Sequence, residues 1–579
     1  MYVGNQYQVK AKDTAKDTVY LLNRLKSEGM SFVTKTLPKF GKHIDRCLAN
    51  GKYTPFPSFR KDRNGALPLI LKGLTCEVFN NDGTLKDNPD GIAIRDIRQF
   101  CFMFYKIDGD YPKELVDECI KSFCEVDETL TSCTDLTPDK YGYIYQAQKI
   151  VKILFKNLDP WDIRPRPGPG QTAEKTLHED RYQPSIIYND IHRRYPYYRY
   201  YFCNFDHLQS SVRSTGPYQH RDHGYSKLTT VPKDSRGPRI ICMEPHEYMW
   251  FQQGLRRLLY DSLERHSLTA GRVNFTDQTI NRRLALESSK SGKFATLDMK
   301  EASDRISKDL VAELFHEVPE LRDCLLALST PATELPSGDI IRTNKFAPMG
   351  SALCFPVMSV VHFVLAVSII MVDTGVSMQE AARKIYVYGD DLIVATDAVH
   401  SLFEGFPIYD LKFNVDKSFF SGRFRESCGV DAYDGTDVTP VRIKTYKIST
   451  KNPGTLATAF AYFHSFFNRG MWELARVWQD ILETQGKFPY VSKNSGVPGW
   501  IVPRNLIPQL NEKWLKKDTN LQSHYLRARI IISRSRKSMI GGWEQLLRAQ
   551  LHCVEGDSSI LVERDQTLLV WKRIPLSCL

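Results

Sequence analysis

The sequence has no internal repeat and no low-complexity tract, which excludes solenoid, propeller and fibrous architectures. It has no C-x2-C pair among its 13 cysteines, and the nearest grouping, Cys119, Cys124 and Cys133, has no histidine beside it. A zinc ribbon is thereby disfavoured, and free thiols in a reducing cytosol are expected. The opening stretch, MYVGNQYQVKAKDTAKD, lacks the apolar core of a secretory signal. Long hydrophobic runs are nearly absent. The one that exists, CFPVMSVVHFVLAVSIIMV at 354–372, is long enough to span a bilayer. It contains Pro356, His362 and two serines, has no Lys or Arg anchors at its ends and stands alone, so a buried core helix is expected and no membrane partner.

What is present is the composition of a globular protein, with 42% hydrophobic and 25% charged residues. A chain of 579 residues exceeds the roughly 250–300 at which single cores stop growing, so several lobes are expected. The 78 basic and 67 acidic residues leave +11, a moderate bias toward polyanions. Residues 1–158 carry no chemical motif, although YGYIYQAQKIVKILFKNL has helical spacing. DPWDIRPRPGPGQT (159–172) reads as a linker or constrained loop, residues 173–440 hold nearly all the chemistry, and 441–579 read as a helix-rich tail.

The chemistry centres on KIYVYGDDLIVA (384–395), which reads as strand, tight turn, strand, with Gly389 supplying the turn. Asp in a turn can cap its own backbone, but that accounts for only one of Asp390 and Asp391. Two adjacent carboxylates between half-buried strands repel and are desolvated unless a cation is there. A third, Asp298, follows the short apolar strand of KFATLDMKEASDRIS (293–307). Three such groups suit hard divalent ions, which take oxygen ligands and keep positions open for phosphate oxygens.

In order, Asp298, APMGSALCFPVMSVVHF (347–363) and YGDD (388–391) resemble motifs A, B and C in the palm of viral RNA-directed RNA polymerases. The similarity is closer to the replicase subunit of positive-strand RNA bacteriophages, the leviviruses, through VPKDSRGPRIICMEP (231–245), DQTINRRLA (277–285), DMKEASDRIS (298–307) and FRESCGVDAYDGTDVTP (424–440). The resemblance implies an α+β right hand with an antiparallel-sheet palm. It also implies an N-terminal region at 1–172 for fingers or partner binding, fingers with a basic nucleotide-admitting motif at 173–267, a palm at 268–440 and a helix-rich thumb at 441–579. The implied activity is primer-independent, RNA-templated RNA synthesis from NTPs with two Mg²⁺ ions, Mn²⁺ being a substitute. The expected ligands are Asp298 and Asp390, with Asp391 supporting the metal site. The implied partners are single-stranded template RNA, nascent RNA, host elongation factors Tu and Ts and a ribosomal protein, in the cytoplasm of an infected bacterium.

Lys233, Arg236 and Arg239 would hold the triphosphate, and Arg282 and Arg283 are further candidates for triphosphate or template phosphate. Asp304 would accept a hydrogen bond from the ribose 2′-hydroxyl, although Ser303 occupies the position many such polymerases give to that acid; a helix cap or salt bridge is the alternative. Gly350 and Ser351 open motif B, where Gly350 would let backbone approach the template–nucleotide pair or simply mark a loop-to-helix junction. Lys417 resembles a motif D lysine that protonates departing pyrophosphate, against the reading of a surface lysine. RRYPYYRYYF (193–202) offers RNA stacking or core packing, and RARIIISRSRK (527–537) a phosphate-facing or merely solvated face. The rival functions are a reverse transcriptase and a non-catalytic RNA-binding phage protein.

Overall fold

The computed structural model describes residues 11–107, 109–130, 138–552 and 560–579. Two strands, β1 (Tyr225–Asp234) and β2 (Gly237–Met243), form an antiparallel ribbon whose tight connection carries the basic motif. Four more make the sheet that positions the carboxylates: β3 (Phe294–Lys300), β4 (Ile385–Tyr388), β5 (Asp391–Ala395) and β6 (Lys412–Phe413). Their order is β6-β3-β5-β4, every neighbour antiparallel.

The side chains of this sheet divide by parity. Ala295, Leu297, Leu392, Val394, Ile385 and Val387 enter the largest core, whereas Phe294 and Ile393 pack with Leu284 of the helix Thr279–Ser291 on the other face. Both faces are covered, which is why these strands are apolar nearly throughout. The expected buried helix is Cys354–Thr374; 83% of its most apolar window is buried, and it closes on Gly375 in the left-handed region. It is apolar all round because the sheet lies against one side and the helix Pro138–Phe155 against another.

A second core joins residues 32–102 to the sheet's neighbourhood, since Phe40, Ile44, Ile94 and Ile97 pack with Phe419, Phe424 and Tyr433. The buried Arg98 ties the same parts by ion pairs to Asp45 and Asp431 and a 3.2 Å bond to the Val438 carbonyl. The proline-rich stretch 159–172 is a strap held to the body: Ile163 is buried, and Arg181 donates to the carbonyls of Gly168 and Gly170, each at 2.9 Å.

Core packing is the one of the two readings of RRYPYYRYYF that is observed, and one expectation about the tail is corrected. In RRYPYYRYYF, Tyr195, Tyr197, Tyr200 and Tyr201 are core residues, with Tyr201 stacked on Trp250 at 4.8 Å and Tyr195 on Phe251 at 5.4 Å; only Tyr198, 61% exposed, faces solvent. Packing accounts for those tyrosines. The tail after 441 is not simply helix-rich: helices Pro453–Asn468 and Trp472–Thr484 are followed by a long hairpin, Ser523–Met539 with Ile560–Pro575, whose intervening helix Gly542–His552 docks on the largest core through Leu547. The β-branched isoleucines of RARIIIS favour strand.

Candidate active site

The strand β3 presents Asp298 directly opposite Asp391 of β5. Both lie on the face turned away from the largest core, and Asp390, exposed, stands beside the buried Gly389 in the two-residue turn between β4 and β5. The turn depends on Gly389, whose φ is +64° and whose Cβ, if present, would stand 2.2 Å from the Phe355 ring. The buried helix holds the turn from beneath. The Gly389 N–H donates to Ser359 Oγ at 3.2 Å, and His362 Nδ1–H donates to the Gly389 carbonyl at 2.9 Å. Burial pushes the His362 imidazole down to about 4, so the ring is neutral with its proton on Nδ1.

The carboxylates are already short of countercharge. Burial first, and then Asp390 and Asp298, push Asp391 up to about 7, while the Cys428 N–H donates to its carboxyl at 3.1 Å. Burial also raises Asp298, against the pull of Lys417, whose ammonium lies 3.3 Å from both oxygens; Asn414 donates to one of them at 2.9 Å. Lys417 is drawn down by burial but raised on balance by Asp298 and Glu426, which fixes it as a cation. Among the described residues no three acidic, His or Cys side chains already close round one point. The donor set nevertheless fits divalent cations: three carboxylates gather at one end of the two central strands, with a lysine as the present counterion.

Beside Lys417 opens a cavity of about 360 Å³ that also receives Lys42, Lys106, Lys233, Arg236 and Arg239. Arg236 is engaged within it, gripping Asp234 at 3.0 and 2.7 Å, and Asp234 is held down at about 2: its burial is outweighed by Arg236. Lys233 is lowered by burial and by Arg239 and Arg236, and Lys42 by burial, Arg236 and Lys417. A space whose cations depress one another suits an anion.

The remaining expected residues take structural partners. Asp304 lies 3.5 Å from the fully buried Lys345, the salt-bridge alternative. Gly350, φ +128°, makes its close approach to strand β2, since a Cβ would meet the Cys242 carbonyl at 2.0 Å; Ser351 accepts a 3.3 Å bond from the Leu353 N–H at the helix start. Arg282 donates to the Cys428 carbonyl at 2.9 Å, steadying the segment that caps Asp391, whereas Arg283 is exposed beside Glu287. The sequence reading missed Lys42, Lys106 and Asn414, and gave no role to Ser359 and His362. The last pair left a signal, two polar residues three apart in a mostly apolar helix.

Comparison with known proteins places these residues in context. Residues 195–452 match the family model described as RNA replicase, beta-chain. The RNA-directed RNA polymerase subunit beta of Escherichia virus Qbeta is 36% identical over 220 residues, which cover 38% of this chain and 35% of that protein. The corresponding subunit of Enterobacteria phage SP is 30% identical over 304 residues, 51% of this chain and 49% of the relative. The RNA-directed RNA polymerase beta chain of Escherichia phage MS2 is 33% identical over 237 residues, 41% of each. The chain thus spans about a third to a half of the length of these relatives.

Proposed function

We propose, from the match of residues 195–452 to the RNA replicase beta-chain family model and the similarity to the phage subunits, that the protein is an RNA-directed RNA polymerase that copies a single-stranded RNA phage genome in the cytoplasm of an infected bacterium. The observation that carries this reading is the in-register pair Asp298 and Asp391, with Asp390 on the adjoining turn and a cation-lined cavity alongside. In the reaction, the 3′-hydroxyl of the growing strand, or of the first nucleotide when no primer is used, attacks the α-phosphorus of a template-paired NTP. The bond to the bridging oxygen breaks, and pyrophosphate leaves. Mg²⁺ or Mn²⁺ held by Asp298, Asp390 and Asp391 would supply charge neutralisation and acidify the attacking hydroxyl.

The chain's own residues do the rest. Lys42, Lys233 and Arg239 receive the triphosphate in the cavity, with Arg236 fixed by Asp234 as part of its wall. Lys417, charged and 3.3 Å from Asp298, is placed to turn from that carboxylate to the leaving pyrophosphate and give it a proton. Asp304, steadied by Lys345, is the acceptor proposed for the ribose 2′-hydroxyl. Ser359 and His362 keep the turn from shifting. In this reading residues 173–267 serve as fingers, 268–440 as palm, 441–579 as thumb and 1–172 as a fingers or partner-binding region. Elongation factors Tu and Ts and a ribosomal protein enter as partners through the levivirus resemblance alone.

The test is Mg²⁺-dependent incorporation of labelled NTPs on a single-stranded RNA template by the chain co-purified with the elongation factors, beside Asp390→Asn. Template-directed product that disappears in the variant supports the reading. Equal product from both would point to a contaminating enzyme, and preference for dNTPs would favour a reverse transcriptase.

A further inference from the structure

A second group of cations lies outside that cavity, where three stretches distant in sequence meet. The proline-rich strap packs on the helix His246–Arg265: the Arg166 N–H donates to the Trp250 carbonyl at 3.4 Å, and a Cβ on Gly254 would lie 3.1–3.2 Å from Pro165 and Ile163. That brings Arg166 under the charges of Arg256 and Arg257. The helix Gly542–His552 supplies the third side. Its Leu547 is buried, Trp543 stacks on His207 at 5.3 Å, and Arg548 reaches Tyr182, whose ring meets Trp250 edge-on at 5.5 Å. After burial itself, the charges that act on His552 are those of Arg166, Arg548, Arg257 and Arg164. Among the described residues, the buried Arg256 Nε and His552 Nε2 have no hydrogen-bond partner.

Five guanidinium groups brought together from three segments repel one another, and the fold gains from the arrangement when a polyanion lies across it. We propose that Arg164, Arg166, Arg256, Arg257 and Arg548 form a second binding site, for the phosphate backbone of RNA. Planar guanidinium forks match phosphate oxygens in pairs. Position favours RNA over an acidic protein. Arg256 lies over Tyr260 at 5.1 Å, Tyr260 stacks on Phe275 at 4.1 Å, Phe275 meets Phe355 at 5.9 Å, and Phe355 meets Tyr388, beside the catalytic turn, at 5.1 Å. A strand leaving or approaching the carboxylates is therefore close enough to run over the arginines.

The identity of the polyanion rests on the polymerase reading, so the test separates the two. In the full chain carrying Asp390→Asn, binding of a single-stranded RNA oligonucleotide and of an RNA duplex is measured against KCl concentration. Arg164→Gln with Arg257→Gln alters two exposed side chains. Two lost phosphate contacts should reduce the salt slope for single strands by roughly 1.4 and weaken binding about tenfold. A larger effect on the oligonucleotide assigns the site to template or unpaired product, and a larger effect on the duplex to the template–product helix. The charge-matched control is Arg60→Gln with Arg213→Gln, exposed elsewhere and expected to leave the slope unchanged. An unchanged slope in the first pair, or the same loss in both, overturns the proposal. An unchanged slope together with lost co-purification of the elongation factors would assign the cluster to an acidic protein surface instead. If the polymerase reading fails, wild type incorporates no nucleotide, while the salt slopes remain measurable.

Discussion

Replacing His362 tests whether the turn that carries Asp390 is held by a hydrogen bond or merely filled from beneath. His362→Phe keeps a ring in the space but leaves the buried Gly389 carbonyl without its 2.9 Å donor. A stranded buried acceptor costs about 1–3 kcal/mol. The variant also removes Nε2, a buried nitrogen that has no partner in the wild type. Global stability is therefore expected to change little, while the turn alone loses its restraint. His362→Asn does the opposite: its amide nitrogen occupies the place of Nδ1, and the side chain is roughly 40 Å³ smaller, which costs ~1 kcal/mol as a cavity. The assay is template-directed incorporation as a function of Mg²⁺, with thermal unfolding alongside. If about 1–2 kcal/mol falls on the ligand geometry, His362→Phe raises the half-saturating Mg²⁺ roughly 5- to 30-fold. The KM for NTP should be nearly unchanged. His362→Asn should bind Mg²⁺ within about twofold of wild type despite a lower Tm, on the same hydrogen-bond argument. Metal dependence that follows Tm across the two variants, or that is normal in His362→Phe, would refute the reasoning.

Two further outcomes follow from the geometry. Asp391, pushed up to about 7 from 3.8, binds its proton more tightly folded than unfolded. In metal-free protein its contribution to stability is present in full below about pH 4 and is lost as pH rises through about 7. Added Mg²⁺ competes with that proton, so half-saturating Mg²⁺ should fall as pH rises toward 7 and then level off, and Asp391→Asn should reduce the metal-free pH trend, leaving the part due to other buried carboxyls such as Glu244 and Glu426. Gly350→Ala combines φ +128° with a Cβ 2.0 Å from the Cys242 carbonyl, a backbone atom with no room to move. A loss of about 3 kcal/mol is expected, read as a lower urea midpoint; an unchanged midpoint would mean the loop has another conformation.

The carboxylate-bearing end of the sheet was legible because its signals are local. The β-rich apolar runs KIYVY and DLIVA on either side of Gly389 mark a hairpin, Gly389 fixes its turn, and the apolar run before Asp298 marks the partner strand. The apolar helix was legible as buried because Pro356, His362 and the serines fit a core better than a bilayer. The basic cavity was not, because Lys42, Lys106, Lys233 and Lys417 reach it from four separate parts of the chain and only folding makes them neighbours. The tyrosines of 193–202 show the converse: an aromatic and basic run has one composition whether it stacks on bases or, as here, on Trp250 and Phe251.

The docked helix of the C-terminal hairpin bears on the order in which the molecule assembles. Its contacts join residues far apart in the chain: Glu544 to Gln183 across 361 positions, and the Trp543 carbonyl to Cys203 across 340. Closing loops of that size consumes chain entropy before any contact returns it, and contacts of high sequence separation are slow to form. The strap and the helix His246–Arg265 are joined by much shorter loops, so four of the five arginines can gather early, while Arg548 arrives only when the hairpin seats its helix. In refolding from urea, recovery of the RNA salt slope would then lag behind burial of the central sheet and mark the final step of folding.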